Sequence, residues 1–292
     1  MTSLPSASPS PGRHIPGIGA RLSVAVAALL AAASTASCTA PGEVPGHGGD
    51  LSPTASPART LTSPPTTVSV FSGAGRSYPW HNGVVATTFW VGEIFDPNAA
   101  DGSQVYSTYD SSWEEHYGGC DGATSSGGCQ TESRTAPDFF PLHMAPKQNP
   151  FYLDLPFDDL NNSAAFKQRC NVVPWSKDAG YAGHCTDQNF SYLKNRWVKM
   201  RGTAGQTCFG QIEDAGPGQY NDAAYVFGTS DSRPLNNRYG GAGMDVSPAL
   251  NGCLGMKELD GDTDKLSWQF ADAKDVPSGT WKKVVTTSGV VN

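Results

Sequence analysis

The chain has 292 residues, room for one large or two small domains and enough to bury a core. With 33 Gly, 22 Pro and only 16% charged residues, it is too rich in turns for a helical bundle and reads as mainly β. The formal net charge is −7 and no basic cluster forms a nucleic-acid footprint, so nucleic acid is not an expected partner.

The N-terminus comes first in chain order. Arg13 and Arg21 lead into an apolar run at 22–33, LSVAVAALLAAA. That run is shorter than the ~20 residues that cross a bilayer, so it reads as the core of an export signal. STASC follows and ends at Cys38, a small-small-Cys ending that resembles the lipobox of bacterial lipoproteins. The resemblance implies lipidation of Cys38 and a membrane contact through that anchor only. The alternative is ordinary cleavage near Ala36, giving a secreted protein with Cys38 as a stray thiol. Residues 39–75 are Pro, Ser, Thr and Gly with few large apolar side chains, and read as a disordered tether.

The folded domain is expected over 76–292. Setting Cys38 aside leaves six cysteines, Cys120, Cys129, Cys170, Cys185, Cys208 and Cys253, an even number in an exported chain. This suggests three disulfides, with fifteen connectivities open to them. The locally cheapest pairing is Cys120–Cys129, Cys170–Cys185 and Cys208–Cys253. There is no CxxC or HxxxH spacing, and neither a metal nor a cofactor is expected.

GVVATTFWVGEIF, residues 83–95, is β-branched and aromatic and predicts a strand. Residues 97–137 form a long Gly-, Ser- and Asp-rich insert that carries Tyr106, Tyr109, Trp113 and Tyr117, too many aromatics for a plain linker. NPFYLDLPFDDL (149–160) predicts a short strand and a turn. FKQRC reads as a helical turn or an edge strand. Residues 195–202 and 207–216 predict a hairpin turning at Gly202–Gly205. AAYVFG reads as strand or helix, and GMDVS as a strand end. In SPALNG, Ser247 is placed to cap a short helix, Pro248 to open it and Gly252 to end it. Residues 266–273 and 280–288 predict two closing strands. Many short strands and little helix suggest a small barrel with long loops.

Two segments carry a family resemblance. Gln211-Ile212-Glu213-Asp214-Ala215-Gly216-Pro217 and Asp245-Val246-Ser247-Pro248-Ala249 resemble the paired core motifs of double-psi β-barrels, as in RlpA-like lipoproteins, expansins and family 45 endoglucanases. The resemblance implies an all-β fold, a six-stranded double-psi barrel with long loops and a few short helices. ATTFWVG (86–92) resembles the family's first strand, with Thr88 as the groove-lining candidate. An Ala follows Asp214 where RlpA-like proteins carry Arg, and their His before the second motif has no counterpart.

Such barrels imply a polysaccharide partner, peptidoglycan or β-glucan, and a monomer. Cleaving a glycosidic bond by hydrolysis commonly takes a proton donor and a second carboxylate, whereas lytic transglycosylation can run on a single acid because the sugar supplies its own nucleophile. Asp245, between Met244 and Val246, is the expected donor because apolar burial raises a carboxyl pKa. Asp214 is the expected second carboxylate, and Glu213 is expected to point to the opposite face. Trp113, Tyr117, Tyr220 and Tyr225 are candidates for stacking on sugar rings, whereas Trp90 is equally a core residue. Two alternatives remain: a non-catalytic expansin-like binding or loosening module, and a scaffold or inhibitor that binds another protein through the 97–137 insert. As bland roles, Asp214 caps its Gly-Pro turn and Asp245 braces the SPA helix.

Overall fold

The computed structural model describes residues 76–99 and 102–292; the expected signal, Cys38 and the tether lie outside the described residues. In chain order come β1 (His81–Thr88), helix α1 (Trp113–Tyr117), a small hairpin of β2 (Ala123–Ser125) and β3 (Gly128–Gln130), and β4 (Tyr152–Leu155). Helix α2 (Ser163–Val172), β5 (Trp197–Gly202), β6 (Thr207–Ala215) and α3 (Ala223–Val226) follow, then β7 (Met244–Val246), α4 (Pro248–Leu254) and β8 (Lys265–Ala271).

Six strands close a barrel in the order β1-β7-β4-β6-β5-β8. β1 runs parallel to β7 and β4 parallel to β6, and the other neighbours are antiparallel. Exchanging β1 with β6, β4 with β7 and β5 with β8 returns the same neighbour order and the same directions. The topology therefore consists of two equivalent halves, and β4 and β7 meet at their seam.

Alternation fills the barrel. On β8, Leu266, Trp268 and Phe270 are buried while Lys265, Ser267 and Gln269 are not. They join Val84, Ala86, Leu153, Leu155, Val198, Met200, Ile212, Met244 and Val246 in one core. β4 is buried at all four positions because the insert covers its outer face. Trp113, Tyr117 and Phe89 pack around Tyr152 with ring centroids 5.2–5.7 Å apart. The insert is thus a second layer, stapled by Cys120–Cys129. Tyr152 donates its hydroxyl to Asp121, which is itself paired with buried Arg134.

The three disulfides are Cys120–Cys129, Cys170–Cys185 and Cys208–Cys253, the shortest-loop pairing. They fit an oxidising compartment. No helix among the described residues is long and apolar enough to cross a membrane.

Three expected elements differ. β1 stops at Thr88, after which the Phe89 amide bonds Val246 O and the chain turns at Trp90–Glu93. Residues 280–288 form no strand. β8 already pairs with β1 on one edge and β5 on the other, so no edge is left, and Trp281 instead packs from a 3-10 turn against Phe151 and Phe209. α4 starts as expected, with Ser247 accepting the Leu250 amide, but runs through Gly252 to Gly255, whose φ of 64° ends it. Gly252 is interior because a Cβ there would lie 2.5 Å from Arg134 O.

Arg169 of α2 organises the opposite side. Its fully buried guanidinium donates to five carbonyl oxygens, those of Asp159, His184, Cys185, Asp187 and Phe190, at 2.6–3.2 Å. A lysine offers three donors without the planar fork. Arg169→Lys is expected to lower the unfolding free energy by about 3 kcal/mol, as for a broken buried charge network, measured by urea unfolding with disulfides intact. A loss below about 1 kcal/mol would show that the loop 184–190 is held by Cys170–Cys185 alone.

Candidate functional site

The seam between β7 and β4 sets the site. Asp154 stands directly opposite Asp245 in the antiparallel ladder, Thr87 of β1 opposite Asp245 on its other side, and Asp214 of β6 opposite Asp154. Residues directly opposite across neighbouring strands share a face. The result is one row across four strands, Thr87–Asp245–Asp154–Asp214. The exchange of halves maps Asp245 onto Asp154 and Thr87 onto Asp214.

A β-bulge puts Asp214 into that row. Leu153 pairs with Ile212 and Asp154 with Asp214, so Glu213 is the extra residue with no partner opposite. Glu213 is buried in a 2.8 Å ion pair with Lys194. Simple alternation therefore fails here, although Glu213 does stay out of the row.

Each acid has a different setting. Asp245 is half-buried and receives the Thr87 hydroxyl. Asp154 is buried, and its Oδ1 accepts the Asp245 amide at 3.0 Å. Gly216 packs over its other oxygen, since a Cβ on Gly216 would sit 2.5 Å from Asp154 Oδ2. Asp214 is buried, and its Oδ1 accepts the amides of Thr108 and Ala215 at 2.8 Å each. Among the expected pair, Asp245 is reached by a second carboxylate, but that carboxylate is Asp154; Asp214 lies one strand further on.

Proton affinity follows the burial. Desolvation, reinforced by the charges of Asp245 and then Asp214, holds the Asp154 pKa well above the usual carboxylate range. Burial pushes Asp245 up to about 6, with the Thr87 hydroxyl pulling the other way. Asp245 therefore holds its proton to a higher pH than a free carboxyl does.

A fourth acid joins the row from the β1 exit loop. Burial pushes half-buried Glu93 up to about 8; the Trp90 backbone amide, hydrogen-bonded to it, opposes this, and the charges of Asp245 and Asp260 reinforce it.

The aromatic candidates separate. Trp113, Tyr117 and Tyr225 are at most 1% exposed, which removes them as sugar platforms. Trp113 and Tyr117 are covered because α1 lays them on Tyr152, and Tyr225 because its hydroxyl bridges Gly243 O and the Trp268 indole inside the core. Trp90 is core as well, bonded to Cys129 O. Tyr220 remains 47% exposed, and Phe95, two residues past Glu93, is 54% exposed. Thr88 is also corrected: its hydroxyl accepts the Asn251 amide, and it is Thr87 that touches Asp245.

Asp154 and Glu93 went unread, yet each carries a signal. FYLDL embeds one acid in an apolar run as GMDVS does, and Glu93 ends the apolar exit of β1. Comparison with protein-family models, curated proteins and solved structures finds no match for this chain.

A carboxyl whose folded pKa exceeds its unfolded value adds stability below the unfolded pKa and loses it as pH rises through the folded one. The protein is expected to lose stability from about pH 4 to above pH 6 through Asp245. Asp245→Asn should therefore be the more stable form at pH 7.5 and match the parent near pH 4, read by thermal unfolding across pH. Equal melting temperatures at pH 7.5 would place Asp245 in an environment no less polar than water.

Proposed function

We propose that this is an exported double-psi β-barrel that acts on cell-wall or environmental polysaccharide by cleaving glycosidic bonds, with Asp245 as its central carboxylate. The observation that carries the reading is the Asp245–Asp154 pair at the barrel seam, flanked by Asp214 and Glu93 on the same site. Three points support it. The two-halved six-strand order is compatible with a double-psi topology, and Asp214 and Asp245, the acids of the two resembling motifs, both lie on barrel strands. Carboxyls with raised proton affinity, grouped beside half-exposed side chains, suit acid–base work near neutral pH. Phe95 by Glu93 and Tyr220 just beyond the Gly216-Pro217 turn offer exposed rings for sugar faces.

Asp245 changes charge near pH 6. Asp154, kept protonated by burial and by its neighbours, leaves Asp245 as the ionised member of the pair above about pH 6. An ionised carboxylate stabilises an oxocarbenium-like centre or takes a proton from water. The Thr87 hydroxyl fixes its orientation. Export on a lipid anchor at Cys38, with residues 39–75 as spacer, would deliver the domain to a wall polymer.

The test is release of new sugar ends from peptidoglycan and from β-glucans, with polymer binding measured alongside. Asp245→Asn is expected to lose release by ~100-fold or more, the usual scale for an acid–base group, with binding unchanged. Retained binding without release by either protein would make this a docking or loosening module. Neither binding nor release would sink the polysaccharide reading.

A further inference from the structure

The β1 exit is tied to β7 by the Phe89 amide on Val246 O, the residue after Asp245. The Val91 amide bonds the Tyr152 hydroxyl, Gly92 N bonds Gln104 O, Gln104 N bonds Glu93 O, and Glu93 N closes a turn on Trp90 O. Gly92 has φ of 88°, and a Cβ there would meet Cys129 Sγ at 3.0 Å and Glu114 Oε1 at 3.3 Å. The stapled outer layer therefore fixes this loop against the end of β7. The ties of Phe89 to Val246 and of Val91 to Tyr152 lay the loop on the face of β4 and β7 that carries Asp154 and Asp245, because Tyr152 and Asp154 share one face of β4.

Resting on the polysaccharide reading above, we propose that Glu93 is the proton donor of this site and Asp245 the base that accepts the proton of the attacking water. The order of proton affinities agrees, since the group that holds its proton to the higher pH is suited to donate it. Among the described residues, the charges that act on Glu93 are those of two acids, Asp245 on β7 and Asp260 in the loop before β8, and Glu114 of α1 lies beside Gly92. In the step, the Glu93 carboxyl gives its proton to the glycosidic oxygen as the bond from that oxygen to the anomeric carbon breaks. Water adds to the anomeric carbon and yields a proton to the Asp245 carboxylate. One water is consumed, two sugar hydroxyls result, and solvent returns the proton from Asp245 to Glu93. Ile94 and Phe95, both about half exposed, give the sugar an apolar flank next to the donor.

The experiment uses two kinds of substrate. One kind is peptidoglycan and β-glucan. The other is the dinitrophenyl glycosides of their disaccharides, whose leaving group departs without a proton. Glu93→Gln should lose at least ~100-fold on polymer yet stay within ~10-fold of the parent on the activated glycoside. Asp245→Asn should lose both. Glu93→Asp, which retracts the carboxyl by one methylene, should show the same split to a smaller degree, with unfolding temperatures confirming that each variant is folded. If Glu93→Gln keeps more than a tenth of polymer release, or loses both substrates equally, the donor assignment falls while the polysaccharide reading stands on Asp245→Asn. If the parent releases nothing from any substrate, that reading falls and takes the donor assignment with it.

Discussion

Two carboxylates facing each other across an antiparallel pair are the constraint around which this barrel is arranged. Asp154 and Asp245 occupy the seam where its two halves meet. At that spacing both cannot ionise cheaply, because each charge raises the other's pKa in a medium less polar than water. The surroundings soften the conflict without removing it. The Asp245 amide serves Asp154, the Thr87 hydroxyl serves Asp245, and the buried cation Lys194 is committed to Glu213 instead. A purely structural seam would place apolar side chains here at lower cost. On the proposed reading, the two acids are retained at a cost in stability because the site uses them.

The outer layer makes those acids unusual. Without the insert, β4 would face water on one side and Asp154 would be an ordinary strand carboxylate. The insert covers β4 with Trp113 and Tyr117, joined by Phe89 from the β1 exit, and anchors Tyr152 through Asp121 and Arg134. The same Tyr152 hydroxyl receives the Val91 amide and so positions the Glu93 loop. One buried phenol thus links strand, insert and exit loop, and the Cys120–Cys129 staple ties the insert together. The rest of the scaffold is stiffened separately, by Arg169 among its carbonyls and by Cys170–Cys185 and Cys208–Cys253.

Much of the barrel was legible because its signals are local. The hairpin of β5 and β6 follows from two apolar runs around Gly202–Gly205, and the α4 start from Ser247 and Pro248. The disulfides take the shortest-loop pairing among the fifteen that the sequence leaves open. What escaped depends on which surface a second layer covers. Trp113, Tyr117 and Tyr225 look like sugar platforms until the fold buries them, and nothing in their neighbours distinguishes the two fates. The TWKKVVTTS segment has strand composition, but closure of the barrel leaves it no edge. Asp214 was legible as a site residue and Asp154 was not, because β4 is four residues long and its pairing with both β6 and β7 is a matter of topology. The bulge at Glu213 is likewise invisible in a chain of alternating side chains.

A sugar ring laid along the row would alter the proton balance in a definite direction. Covering Thr87, Asp245 and Glu93 displaces water, which penalises every charged carboxylate beneath it. Glu93, already under the charges of Asp245 and Asp260, would hold its proton more firmly in the complex than in the free protein. Asp245 would also move up, but it keeps the Thr87 hydroxyl, a hydrogen bond to its charged form that does not depend on solvent. The gap between the two groups is therefore preserved or widened on binding. Burial and the charges of Asp245 and Asp260 raise the proton affinity of Glu93 against the pull of its backbone hydrogen bond, while the Thr87 hydroxyl holds that of Asp245 lower.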